Sequence, residues 1–268
     1  MGNKLKSKLK LMKRIEDFNK ILPVNELYTA VQAEGSRTGY PTVVVRTVGC
    51  THRCAFGEGG WCDAWANSIH PEKGKYTFND IIKIYDENPH ITEMMLTGGA
   101  PTMHPVLINE LVYFTKERGI FLTMETEGSH FVETDLPIDL VSLSPKFSNS
   151  IPRIGIKTPL GDTVDEKFIK QHNKFRMKTD IMKQMLDFHS DYHIKPVWDG
   201  SDQQTLQEIL DFLEELEIPK EKVYFMPAGD SRDKLVSTYP KVMNWVRDNG
   251  FKFTGRPHII AFDTLRRV

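Results

Sequence analysis

The sequence predicts an α/β protein folded as a partial (β/α)6 barrel of the TIM-like kind. Apolar, β-branched strings alternate with stretches of helical spacing along most of the chain, which implies parallel strands joined by right-handed crossovers. About six such strand–helix units favour a barrel or partial barrel over a sandwich. Polar or glycine-containing strings also follow the strands, namely a cysteine loop, "TGGAP", "ETEG", "SPK" and "MPAG". In barrels, chemistry collects on the loops at the carboxyl ends of the strands.

Taken in order, "TVVVRTVG" (Thr42–Gly49) is β-branched and reads as a buried strand. "TFNDIIKIYDEN" has helical spacing, starting near Thr77 with Asn79 or Asp80 in its first turn. "TEMMLTGG" is a strand running into a glycine turn, and the helix through "PVLINELVYFTKERG" ends at Gly119. "IFLTMETEG" and "IDLVSLSPK" are further strands, and "TDIMKQMLDFHS" is helical. "YHIKPVWDG" reads as one strand and "DQQTLQEILDFLEELE" as an amphipathic helix. "KVYFMPAG" is a strand, "LVSTYPKVMNWVRDNG" a helix and "HIIAFD" a closing strand. Residues 147–179 lack clear periodicity and read as an inserted loop region, a length of excursion that is often functional.

The chain of 268 residues has a formal net charge of -1, which excludes bulk electrostatic binding to nucleic acid or membrane. It contains neither an apolar run long enough to span a bilayer nor a signal-peptide pattern. Residues 1–20 form a basic segment carrying Lys4, Lys6, Lys8, Lys10, Lys13 and Arg14, read as a solvated terminus, and residues 21–268 form one domain. Gly2 does not open a myristoylation motif, because Lys6 stands where Ser or Thr is required.

All three cysteines, Cys50, Cys54 and Cys62, fall in "GCTHRCAFGEGGWCDAWAN". None lies elsewhere to staple distant elements, so a reducing cytoplasm fits. Three thiolates can occupy three corners of a tetrahedral metal site. Zinc would want a fourth ligand, with His52 or His70 nearest, whereas an iron–sulfur cluster accepts three cysteines and leaves one iron open. A buried structural role is the bland alternative. Placement at a strand end, with glycines between the second and third thiols, argues against it.

The C-x3-C-x7-C spacing, with Trp61 before the last cysteine, resembles the radical S-adenosylmethionine (SAM) superfamily, with a cysteine loop five residues longer than the commonest spacing. Within it, the chain resembles the 7-carboxy-7-deazaguanine synthase family. Gln32, Glu34, Gly35, Arg46 and Cys50 match its Q-G-E-G turn and R-x-x-G-C strand end, with Ala33 replacing the first glycine. "WCD", "LTGGAP", "METEG", "LSPK", "IKPV", "FMPAG" and "GRPHIIAF" follow in the family's order, so the resemblance runs from about Val24 to Arg267.

The resemblance implies that Cys50, Cys54 and Cys62 hold a 4Fe-4S cluster whose fourth iron SAM chelates. A 5'-deoxyadenosyl radical then takes hydrogen from 6-carboxy-5,6,7,8-tetrahydropterin, which contracts to 7-carboxy-7-deazaguanine with loss of ammonia. For substrate it implies Val31, Gln32, Ala33, Glu34, Arg46, Thr97, Glu125 and His258, the last in a terminal strand. The planar fork of Arg46 suits a carboxylate, and Glu34 suits the donor pair of the pterin's guanidine-like edge. For the cofactors it implies Trp61, Cys62, Asp63, Gly98, Gly99, Ser144, Pro145 and Lys146, with Phe225, Met226, Pro227 and Ala228 packing the adenine. A flavodoxin-like electron donor and a homodimer are also implied.

Three positions depart from the family pattern. Ala64 stands where a hydroxyl ligates Mg2+, although Ser68 is within the same loop. Ala100 stands where a glutamate secures the SAM amino group, and Ala228 where glutamate is common. Glu58 is a candidate replacement carboxylate. The competing readings are a radical SAM activase acting on a partner protein and a zinc-bearing scaffold without catalysis.

Overall fold

A computed structural model describes residues 15, 17–56, 60–265 and 267. The basic run through Arg14 and the candidate Glu58 therefore lie outside the described residues. β1 (Val24–Val31) turns at Gly35 and returns antiparallel as β2 (Pro41–Thr47). Gly35 has φ +73°, and a Cβ there would lie 2.5 Å from the His193 ring, so only glycine fits. The alternation rule does not single out β1, because its core-facing start includes the polar Asn25 and Glu26, which are buried.

The enlargement of the cysteine loop is a small hairpin, β3 (Ala55–Phe56) against β4 (Gly60–Trp61), followed by the short α1 (Trp65–Ser68). Helix α2 (Phe78–Glu87) begins as expected. Thr77 caps it, and Asp80 accepts from the Thr77 amide at 2.7 Å in a capping box. β5 (Glu93–Gly98) leads to α3 (Pro105–Arg118), which Gly119 ends with φ +66°. β6 (Phe121–Thr126) and β7 (Leu140–Leu143) follow.

Residues 147–179 are more ordered than the sequence predicts. They include a bridge between Lys157 and Thr163 and a helix, α4 (Glu166–Phe175), capped by Asp165. Only a narrow stripe of α4, around Phe168, Ile169 and His172, faces protein, too little to show as a period. Next come α5 (Thr179–Phe188), β8 (Tyr192–Ile194) and β9 (Val197–Trp198). The expected single strand "YHIKPVWDG" is thus two. Pro196 separates them, since it has no N–H to give to a ladder. α6 (Gln203–Glu215), β10 (Tyr224–Pro227), α7 (Arg232–Asn249) and β11 (Lys252–Phe253) complete the alternation.

"HIIAFD" is not a strand. Residues Pro257–Phe262 form helix α8, with Pro257 in the first turn, where its missing N–H is harmless. β-branched Ile259 and Ile260 suggest a strand by composition, but the final strand is β11.

The strands form a six-stranded sheet, ordered β1-β2-β5-β6-β7-β8, and a three-stranded sheet, β11-β10-β9. Within these two sheets all pairings except β1–β2 are parallel. One parallel bridge, Ile194 to Val223, links the sheets. The pairing is therefore that of two parallel-dominated sheets and not one closed ring, with the break where Pro196 interrupts. Helix residues Phe78, Leu111 and Phe114 pack near the larger sheet, and at the smaller sheet Trp245 of α7 packs with Trp198, Phe225 and Phe251. Among the described residues no helix is long and apolar enough to cross a membrane.

Candidate active site

The strand ends border a cavity of about 740 Å³, a size that takes a cofactor and a small substrate. Cys50, Cys54 and Cys62 all line it, and none is in a disulfide. The loop carrying them is pinned from within: the Cys62 amide donates to the Cys54 carbonyl at 3.2 Å, and Arg53 Nη1 to the Cys50 and His52 carbonyls at 2.7 Å. The inserted region pins it from outside. The Trp61 indole donates to Lys157 O at 2.9 Å, and the Arg53 amide to His172 Nδ1 at 3.1 Å. Ala55, Trp61 and Val164 form a small apolar cluster of their own, joined by Phe168 and Ile169.

Burial, together with Glu127 and the neighbouring thiols, pushes the Cys50 thiol well up. Burial likewise raises Cys54, and Cys62 to about 11. Such thiols ionise when a metal supplies the positive charge. Three soft, unpaired sulfurs around one cavity suit an iron–sulfur cluster. Of the two histidines nearest in sequence, His52 bonds Thr51 through Nδ1 while its buried Nε2 has no hydrogen-bond partner among the described residues, and His70 pairs with Asp162 at 2.8 Å.

Beside the thiols lies a network of charges. Lys195 Nζ, nearly fully buried, donates to Glu34 at 2.6 Å and to Glu125 at 2.7 Å. Thr97 donates to the other Glu125 oxygen at 3.0 Å. Arg256 donates to Glu34 at 3.0 Å and to the Gly229 carbonyl at 2.6 Å, and also pairs with Asp63. Burial opposes the Glu34 charge, yet Lys195, Arg256 and His258 hold its carboxyl well below the usual range. Burial likewise works against the Lys195 ammonium, and Glu125 and Glu34 raise its pKa above the ordinary value. Lys195 and Arg256 were not among the predicted site residues. Lys195 sits in "IKPV" and Arg256 in "GRPH", where only a family pattern marks them.

Val31, Gln32, Ala33 and Glu34, from the end of β1 and its turn, border the cavity. Gln32 is 3 % exposed, and its amide oxygen has no hydrogen-bond partner among the described residues. Arg46 also borders the cavity, and its cross-strand neighbour Glu26 pairs with it at 2.8 Å. His258 reaches the cavity from α8 rather than from a strand, 3.9 Å from Glu34.

Ser144 and Lys146 face the cavity, where the ammonium donates to the Ser144 carbonyl and hydroxyl, both at 2.8 Å. Met226 and Ala228 line it too. Phe225, Pro227 and Pro145 do not. Phe225 is fully buried among Trp198, Trp245 and Phe251, because successive strand residues face opposite ways. Pro227, on the same alternate face of β10, and the buried Pro145 likewise belong to the packing behind the wall.

Gly98 and Gly99 border the cavity, but their lack of a Cβ serves the protein's own backbone. A Cβ on Gly98 would lie 2.4 Å from Thr47 N and O, and one on Gly99 2.0 Å from Gly49 O. These glycines let β5 press against the root of the cysteine loop.

A carboxylate also escaped the sequence reading. Glu127, just past β6, is 4 % exposed and lines the cavity. It accepts from Thr51 at 3.2 Å, from Thr126 at 3.4 Å and from Ser129. Its position in "ETEG" was the available signal.

No family model matches the chain. It is 31% identical over 248 residues to the 7-carboxy-7-deazaguanine synthase of Halobacterium salinarum, covering 90% of this chain and 91% of that one. The synthase of the same name from Rhodopirellula baltica is 30% identical over 246 residues, with 91% and 88% covered. The fold is similar to the crystal structure of QueE from Escherichia coli, at a TM-score of 0.53 and 17% identity over 88% of this chain and 93% of that one.

Proposed function

Because the chain belongs to the 7-carboxy-7-deazaguanine synthase family, we propose that it contracts 6-carboxy-5,6,7,8-tetrahydropterin to 7-carboxy-7-deazaguanine and ammonia. These products balance the substrate in atoms and need no net oxidant. The observation that carries the reading is three free thiols sharing one cavity with the Glu34–Lys195–Glu125 network.

Cys50, Cys54 and Cys62 hold the 4Fe-4S cluster. When bound, the cluster and SAM supply the one-electron chemistry that starts the rearrangement. The residues of the chain bind and orient. Glu34, kept ionised, accepts from the donor edge of the pterin, and the unpartnered Gln32 oxygen accepts from a further ring N–H. Arg46, oriented by Glu26, presents its remaining N–H groups to the substrate carboxylate. Thr97 and Lys195 fix Glu125 against the ring, and His258 closes the same end. Lys146 meets the SAM carboxylate, and Met226 packs against the adenine. Parallel strands set around this cavity are read as the partial (β/α)6 barrel of the superfamily. On family grounds the electron comes from a flavodoxin-like donor and the enzyme is a homodimer.

A magnesium site does not fit. Ala64 offers no side-chain oxygen, and the Asp63 carboxylate is taken up by Arg256 and the Ala64 amide. The Ser68 hydroxyl donates to the Trp65 carbonyl. No step is assigned to that ion.

The test is anaerobic reconstitution followed by turnover with the carboxypterin, SAM and a reductant. Formation of the deazapurine supports the reading. An intact cluster that never yields it, with SAM present, overturns it.

A further inference from the structure

We propose that Glu127 receives the amino group of the methionyl part of SAM, in place of the carboxylate that Ala100 lacks. The inference rests on the reading that SAM binds at the thiols. Glu34, Glu125 and Asp63, the other carboxylates discussed in this cavity, each have a lysine or arginine partner. Glu127 has none among the described residues. Its hydrogen-bond partners are the hydroxyls of Thr51, Thr126 and Ser129. His52 Nδ1 stands 3.9 Å away and is already bonded to Thr51 at 3.0 Å.

A carboxylate this deeply buried without a counter-charge is costly unless a ligand supplies donors. Hydroxyls satisfy some of its lone pairs, and a carboxylate has about four such sites. Its remaining acceptor capacity suits an N–H donor, preferably a cationic one.

Its place identifies the donor. Thr51, which bonds it, follows Cys50 directly, and Glu127 lines the same cavity as Cys50 and Cys54. Ala100 is fully buried, and its amide is tied to Gly49 O at 2.8 Å. β5 and β6 are neighbouring parallel strands, paired from Glu93 with Phe121 to Leu96 with Met124. Ala100 and Glu127 lie just past the ends of these two strands, so this chain carries its acidic group at the adjacent strand end. A cationic amino group on a ligand bound beside the thiols would lie within reach of this carboxylate, because Glu127, Cys50 and Cys54 line the same cavity.

The test compares E127Q, E127A and the unaltered chain after anaerobic reconstitution. Dissociation constants are measured for SAM and for 5'-methylthioadenosine, which shares the nucleoside but has no amino acid part. The electron paramagnetic resonance spectrum of the reduced cluster is recorded with each. E127A is expected to weaken SAM by about tenfold or more, and E127Q by less, with an altered SAM-bound spectrum. Affinity for 5'-methylthioadenosine should stay within about twofold in both, which also shows that the variants are folded. Unchanged SAM affinity, or equal weakening of both ligands, overturns the inference while leaving the proposed reaction standing. If the unaltered protein, its cluster intact, fails to bind SAM, both fall together.

Discussion

Lys195 Nζ lies 2.6 Å from Glu34, a residue 161 positions earlier in the chain, and with its second contact to Glu125 it joins three strand ends into one polar wall. The ammonium is nearly as buried as a core leucine, so the pair has little water to screen it.

Removing that ammonium leaves two carboxylates facing each other without their shared partner. Lys195→Met is expected to destabilise the fold by about 3–5 kcal/mol and to abolish turnover. Denaturant unfolding and product assay check the two effects separately. Full activity in this variant would show that the network is dispensable.

Arg256 serves three acceptors from one planar fork: Glu34, Asp63 and the Gly229 carbonyl. Lysine has the charge but not the geometry. Arg256→Lys should therefore lower kcat/KM by about tenfold or more while leaving iron content unchanged, a separation that steady-state kinetics and iron analysis can read.

Phe168 does not border the cavity, yet it packs with Trp61 in the small cluster that holds the cysteine hairpin, their ring centroids 6.3 Å apart. Because that cluster is separate from the main core, Phe168→Ala should loosen the loop more than the domain. Faster iron loss to a chelator, with a melting temperature lowered by only a few degrees, is the expected result. Unaltered iron retention would dissociate the insertion from the cluster site.

Acid should weaken the fold through its buried histidines. Burial lowers His189 to about 4, and burial with the nearby Lys195 charge lowers His193 to about 3. His189 Nδ1 must be unprotonated to accept from the Ile138 amide at 3.2 Å. Between about pH 6.5 and 4 the unfolded chain binds protons that the folded chain refuses, so stability rises with pH across this window and falls on acidification. Each histidine contributes up to about 1.4 kcal/mol per pH unit. His189→Asn, whose side-chain oxygen can still accept, should flatten that slope in unfolding curves recorded from pH 7 to pH 4.5.

The legible part of the chain was its local chemistry. Thr77 and Asp80 announced a helix start, Gly119 a helix end, and the clustered cysteines a shared cavity wall, because each signal lies within a few residues of its effect. Short or two-faced elements misled: β-branched isoleucines in α8 read as a strand, and Pro196 cut one expected strand into two.

From composition and spacing alone follow the alternating α/β order and the crowding of Cys50, Cys54 and Cys62 at a strand end. Only the folded chain decided that Glu34 meets Arg256 across 222 residues, that Phe225 turns into the core, and that Glu127 is buried with no lysine or arginine partner among the described residues. Periodicity encodes which face an element buries. Which distant charges then meet depends on how the strands are ordered and staggered, and that is settled when the elements pack together.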